Sequence, residues 1–92
     1  VLVEIDGYKN ENVRKFANKI YEELLKKDIE IILDDREIKL GNKMFDWELI
    51  GIPNILIIGK SEVENQTVTF KKRGSKEKNN IPAKELMNFV DF

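Results

Sequence analysis

Between Leu33 and Lys60 the chain reads LDDREIKLGNKMFDWELIGIPNILIIGK. This stretch concentrates residues able to do chemistry. Asp34, Asp35, Arg36 and Glu37 form an acidic–basic turn, Lys43 follows Gly41 by two positions, and Asp46 stands beside Trp47. Glu62 comes shortly after, and Lys71, Lys72 and Arg73 stand together further on. Carboxylates accept hydrogen bonds and Lys and Arg donate them, so these residues suit non-covalent recognition. Nothing here could do covalent chemistry unaided. The chain has no histidine and no cysteine. A Ser–His–Asp triad, a histidine-ligated zinc, a histidine general base and any disulfide are therefore excluded within these residues. One covalent alternative survives. Asp6, Asp34 and Asp35 fall at expected carboxyl ends of parallel strands, where hard carboxylates can hold Mg²⁺ and one can accept a phosphoryl group. Such a receiver-like module needs about five parallel strands and a lysine at a later strand end, and Lys60 is the only candidate. A protein-binding α/β module is the other alternative.

Charge is distributed unevenly. The chain carries 16 basic and 17 acidic residues, a balance of −1. Residues 71–92 hold six of the basic and three of the acidic ones, a local balance of +3 that the total conceals. Five cations fall within residues 71–78, against Glu77 as the one acid there. A basic patch of this kind suits an RNA backbone, with binding that falls as salt rises. It equally suits a solvated hairpin tip.

The elements that would position these groups are legible from periodicity. Val1 to Asp6 alternates like a short strand. Val13, Phe16, Ala17, Ile20, Tyr21, Leu24 and Leu25 make one apolar helical stripe, with Asn10 or Asn12 as its cap and Lys26 and Lys27 in its last turn. Ile29 to Leu33 reads as a strand covered on both faces. Lys43 to Ile50 reads as a short helix stopped by Gly51 and Pro53. Asn54 to Ile58 is the most apolar strand, expected at the centre, followed by a polar loop over 59–66. Thr67 to Arg73 alternates like an edge strand, a charged turn follows, and Pro82 opens a last helix buried through Ala83, Leu86, Met87 and Val90. Strand–helix–strand order implies a right-handed parallel crossover. The expected fold is a small three-layer α/β sandwich over residues 1–92, its mixed, mostly parallel sheet of four to five strands having helices on both faces. No apolar run approaches the ~20 residues of a membrane span. The chain opens at Val1 and reads as a piece of a longer, cytoplasmic protein.

Seven fragments in order carry a resemblance over nearly the whole chain. They are Ala17, Tyr21 and Leu24 in the first helix; Asp34-Asp35-Arg36-Glu37; Gly41-Asn42-Lys43; Glu48 to Pro53, reading ELIGIP; Ile58-Gly59; Val68, Phe70, Lys71 and Arg73; and Ile81, Pro82, Glu85 and Leu86. This order resembles the C-terminal anticodon-binding domain of class II aminoacyl-tRNA synthetases, most like that of the prolyl enzymes. One departure is Trp47, where many relatives have a small residue.

The resemblance implies a domain that binds the anticodon loop of a tRNA, a proline tRNA on the prolyl reading. ATP, Mg²⁺ and the catalytic domain would belong to the rest of the parent chain, a ligase and usually a homodimer. No catalytic residue, cofactor or metal is expected in these 92 residues. Proteins read splayed loop bases by stacking and by bonding their edges. Proline anticodons share two guanines, whose imino and amino donors invite carboxylates. On that footing Glu62 is the first candidate base reader, with Glu37 at a second base edge and Arg36 on phosphate or guanine. Lys43 at the helix start would face phosphate. Asp46 would bond a base or complement the helix dipole. Lys71, Lys72 and Arg73 would follow the backbone. Phe70 is a candidate to stack on a base, although its register with Val68 favours the core.

Overall fold

The computed structural model describes residues 1–7, 9–29, 31–74 and 77–86. In chain order the elements are β1 (Leu2–Glu4), α1 (Glu11–Lys26), β2 (Leu33–Asp34), α2 (Leu40–Ile50), β3 (Asn54–Ile58), α3 (Lys60–Asn65), β4 (Thr67–Lys72) and β5 (Asn79–Pro82). A 3₁₀ turn over Ala83–Glu85 follows. The described strands form one sheet ordered β2-β1-β3-β4-β5. β1 pairs in parallel with β2 and with β3, while β4 runs antiparallel to β3 and β5 antiparallel to β4.

α1 forms where the stripe predicts it. The Asn10 side chain accepts from the Asn12 and Val13 backbone N–H groups at 3.1 and 3.3 Å, satisfying donors that the first turn leaves free. Val13, Phe16, Ala17, Ile20 and Leu24 are buried against Leu2, Leu56, Ile58, Val68 and Phe70. At roughly 1.5–3 kcal/mol for each fully buried large side chain, this packing rather than intrinsic propensity holds the helix. α2 covers the opposite face, where Leu40, Met44 and Trp47 pack on Val3, Ile55 and Ile57. It ends at Gly51, whose φ of 97° is the left-handed conformation that lets a helix stop.

The sandwich and the central place of β3 agree with expectation, and several boundaries do not. β2 pairs over two residues at a sheet edge, so Ile32 is exposed rather than covered on both faces. The span read as a polar loop is the short helix α3. There Gln66 takes a left-handed φ of 55° to end the helix. β4 is not an edge, because β5 pairs outside it. Pro82 ends that strand and precedes a 3₁₀ turn instead of opening an α-helix at once. Leu86 is buried as expected, and Met87 and Val90 lie outside the described residues. Among the described residues no helix is long and apolar enough to cross a membrane.

Candidate nucleic-acid interface

Pleating divides β4. Val68 and Phe70 point into the α1 core, while register pairs Thr69 with Ile57 and Lys71 with Ile55, both on the α2 face. β5 continues that face, with Asn80 opposite Thr69. α2 lies over β1 and β3 and leaves the β4–β5 part of this face open, with Thr69 and Lys71 half-buried and Asn80 exposed.

Polar groups on the open face are connected. The Asn80 amide donates to Thr69 Oγ1 at 3.3 Å, and the Thr69 hydroxyl donates to Glu62 Oε2 at 3.3 Å. Glu62 Oε1 accepts the Gly59 backbone N–H at 2.7 Å. Glu62 is the third residue of α3, so its carboxylate caps the helix while reaching the sheet. An ionised carboxylate has about four acceptor sites. Two are used in these bonds, which leaves capacity for a ligand's donors. Beside this chain Lys71 is ion-paired with Glu48 of α2, and Arg73 Nε donates to the Glu48 backbone carbonyl at 3.0 Å. Two cations thus stand at the carbonyl end of α2, the end that favours positive charge. The arrangement presents acceptors on one side and cations on the other across an open strip of sheet. That suits unstacked bases and the phosphates between them.

Arg36 and Asp46 form a second group on the other flank of α2. Asp46 and Glu48 are two positions apart, which turns their side chains to different sides of a helix. Arg36 binds Asp34 through Nε at 2.9 Å and Nη2 at 2.8 Å, and Asp46 through Nη1 at 2.8 Å. The Arg36 backbone N–H and the Trp47 indole N–H also donate to Asp34, at 3.3 and 2.6 Å. Burial pushes the Asp34 carboxyl up, but these bonds and the Arg36 charge outweigh it and hold it below its ordinary value. The same two carboxylates hold the Arg36 guanidinium more firmly protonated than usual. Here Arg36 holds the loop to the helix. Asp46 lies mid-helix as its partner rather than in the first turn. Glu37 is exposed in the loop on this flank.

The structure corrects two expectations and limits a third. Lys43 does not face phosphate. It is wholly buried, and its ammonium donates to the Glu4 carbonyl at 2.8 Å and the Asp34 carbonyl at 3.4 Å. α2 begins three residues earlier than expected, so Lys43 falls on the sheet-facing stripe with Leu40, Met44 and Trp47. Phe70 is not available to stack on a base: it is 5% exposed within the α1 core, the placement its register with Val68 favoured. Lys72 is exposed but alternates away from Lys71 and Arg73, so it cannot share their ligand. The phosphoacceptor alternative also fails. The Asp34 carboxylate is occupied by Arg36 and Trp47, and two of the four strand pairings are antiparallel, with β4 reversed against the other strands.

Comparison with known proteins decides the family. The profile described as "Anticodon binding domain" matches residues 1–91. This chain belongs to the anticodon binding domain family. Among curated relatives of this domain, proline–tRNA ligase from Helicobacter pylori (strain HPAG1) is 42% identical over 86 residues. That alignment covers 94% of this chain and 15% of the relative. The enzyme of strain ATCC 700392 / 26695 is 41% identical over the same length. Among solved structures, prolyl-tRNA synthetase from Cryptosporidium parvum with L-proline and AMP superposes with a TM-score of 0.82 at 26% identity, covering 92% of this chain and 18% of that one. The same enzyme with halofuginone and AMPPNP gives 0.83 at 27%. The anticodon binding domain therefore spans less than a fifth of the relatives it matches.

Of the nine residues proposed from sequence, Glu62, Lys71 and Arg73 converge on the open face. Thr69, Asn80 and Glu48 join them and were missed. Alternation through TVTFKK placed Thr69 on the face of Lys71, so Thr69 was recoverable. Nothing local marked Asn80, whose place depends on β5 pairing with β4.

Proposed function

We propose that this chain is the anticodon-reading part of a prolyl-tRNA synthetase and binds the anticodon loop of proline tRNA on the open β4–β5 face. The single observation that carries the reading is the Glu62–Thr69–Asn80 hydrogen-bonded chain beside Lys71 and Arg73. Glu62 accepts from the amino and imino groups of a guanine, and Asn80 offers an amide to a second base. Arg73 and Lys71 meet backbone phosphates, Lys71 exchanging its bond with Glu48 for one to RNA. Glu37, Arg36, Asp46 and Lys72 stand outside this group and contribute at most peripheral contacts. The parent enzyme joins proline to tRNA using ATP and Mg²⁺ in a catalytic domain elsewhere in the same polypeptide, as a cytoplasmic homodimer. Placing the anticodon orients the distant acceptor end.

The test uses the intact parent enzyme and transcripts of proline tRNA. Glu62→Ala lowers kcat/KM for tRNA charging by roughly 10–100-fold, the scale of one lost base contact at about 1–3 kcal/mol. Proline-dependent ATP–pyrophosphate exchange stays at the wild-type rate, because that reaction needs no tRNA. Arg73→Gln weakens binding to all transcripts and makes the salt dependence shallower. If the wild-type enzyme charges transcripts with and without the two anticodon guanines equally well, the reading is wrong.

A further inference from the structure

The outward side of α2 is apolar as well as its inward side. Phe45 is 65% exposed, Leu49 73% and Ile50 67%, and Ile32 beside the β2 edge is 51% exposed. Phe45 and Leu49 are four positions apart and share one helical face, turned from the sheet-facing stripe of Leu40, Met44 and Trp47. Beside them a groove of about 410 Å³ runs between Leu33, Trp47, Leu49 and Ile50. A helix apolar on both sides is normally covered on both, and a patch of large exposed side chains marks an interface.

We infer that this face of α2, with the β2 edge, packs against the remainder of the same polypeptide. The inference rests on the reading of this chain as one domain of a longer synthetase. Two observations choose the occupant. The relatives are several times longer than the matched segment, which is 15% of their length, so a large protein body is available in the same chain. The patch also offers an RNA almost nothing, since the one cation lining its groove, Arg36, is already paired with the two carboxylates there, Asp34 and Asp46. An apolar face flanked by charges already paired among themselves suits another protein surface, and contacts between domains of one chain typically bury about 600–1,500 Å². The anticodon face lies on the other flank of α2. The helix then transmits the position of a bound loop to the body that carries the chemistry, with one flank on RNA and the outer side on protein.

The test is maleimide labelling of the intact protein. Leu49→Cys and, separately, Ile50→Cys are compared with Lys26→Cys on the exposed end of α1. Labelling is read by mass spectrometry on the tryptic peptides spanning 44–60 and 20–27. At both α2 positions labelling is expected at least ten-fold slower than at position 26, with the difference abolished in denaturant. Equal rates in the native protein overturn the inference. Slow labelling that becomes fast when the protein is diluted to monomer assigns the face to a second copy and also overturns it. Charging of proline tRNA by the same preparations separates the two readings. Normal charging with fast labelling sinks the docking face alone, and slow labelling without charging sinks the anticodon reading alone.

Discussion

Lys43→Met destabilises the domain without directly touching RNA binding. The Lys43 ammonium is fully buried and donates to the carbonyl ends of β1 and β2, tying two neighbouring parallel strands to α2. Methionine keeps the bulk and removes the donors. The expected loss is roughly 2–4 kcal/mol: two orphaned carbonyls cost about 1–3 kcal/mol each, less part of the ammonium desolvation that methionine does not bear. A small domain has about 5–15 kcal/mol in total, so the urea midpoint falls well outside error. The pH dependence gives a second signature. Burial lowers the Lys43 pKa from its ordinary 10.5, against the attraction of Asp34 and Glu4. Between the lowered folded value and 10.5 the unfolded chain binds more protons, so stability rises with pH in that window. Wild type shows this rise and Lys43→Met lacks it. A variant of unchanged urea midpoint that bound the anticodon stem-loop less tightly would restore Lys43 to the phosphate role that sequence assigned it.

That residue also shows what sequence could and could not carry. The register of α2 was taken from Lys43, which made the lysine a helix-start cation. Begun at Leu40, the same helix places residues 40, 43, 44 and 47 on one stripe, and a charged residue on an apolar stripe signals a buried counter-group. The glycine at position 41 disguised the true start, since Gly is a poor helix former. α1 was legible because its cap and its stripe agree, apart from Leu25, which is exposed rather than on the buried stripe. β5 was not, because Asn79 and Asn80 are poor strand formers and only pairing with β4 makes them one. Glu62 was chosen from sequence as a loop residue and stands in a helix, where it also serves as a cap. The proposed anticodon face was therefore half legible. The groups contributed by alternation in β4 could be read along the chain. Those contributed by Glu48 and Asn80 depend on which elements fold beside it.

Asp34 and Glu4 end adjacent strands and are both buried, yet neutralisation costs stability at Asp34 and none at Glu4. Asp34 accepts from Arg36 three times and from Trp47 once, and these bonds hold it ionised. In Asp34→Asn one oxygen becomes an NH₂ facing N–H donors whichever way the amide is turned. A loss of about 2–3 kcal/mol follows for this buried acceptor at neutral pH. Glu4 has one long contact, from Arg14 Nε at 3.4 Å, and its Oε2 has no partner among the described residues. Burial therefore raises its pKa despite Arg14 and Lys43, so folding disfavours its ionised form relative to the unfolded chain. Glu4→Gln fits the same space with no charge to desolvate, so stability at neutral pH stays level or rises, within about 1 kcal/mol. The linkage signs differ accordingly. The Asp34 contribution is present above its unfolded pKa near 3.8 and is lost as pH falls through the lower folded value. Around Glu4 the folded chain binds more protons between 4.5 and the raised value, so stability declines as pH rises across that window. Urea titrations of wild type and both variants between pH 3 and 8 separate the two. Asp34→Asn approaches wild type at the acid end, whereas Glu4→Gln matches wild type there and equals or exceeds it at neutral pH. Equal losses in both variants at pH 7 would mean that Glu4 is held ionised by a partner, and the strand-end arrangement derived from its burial would be wrong.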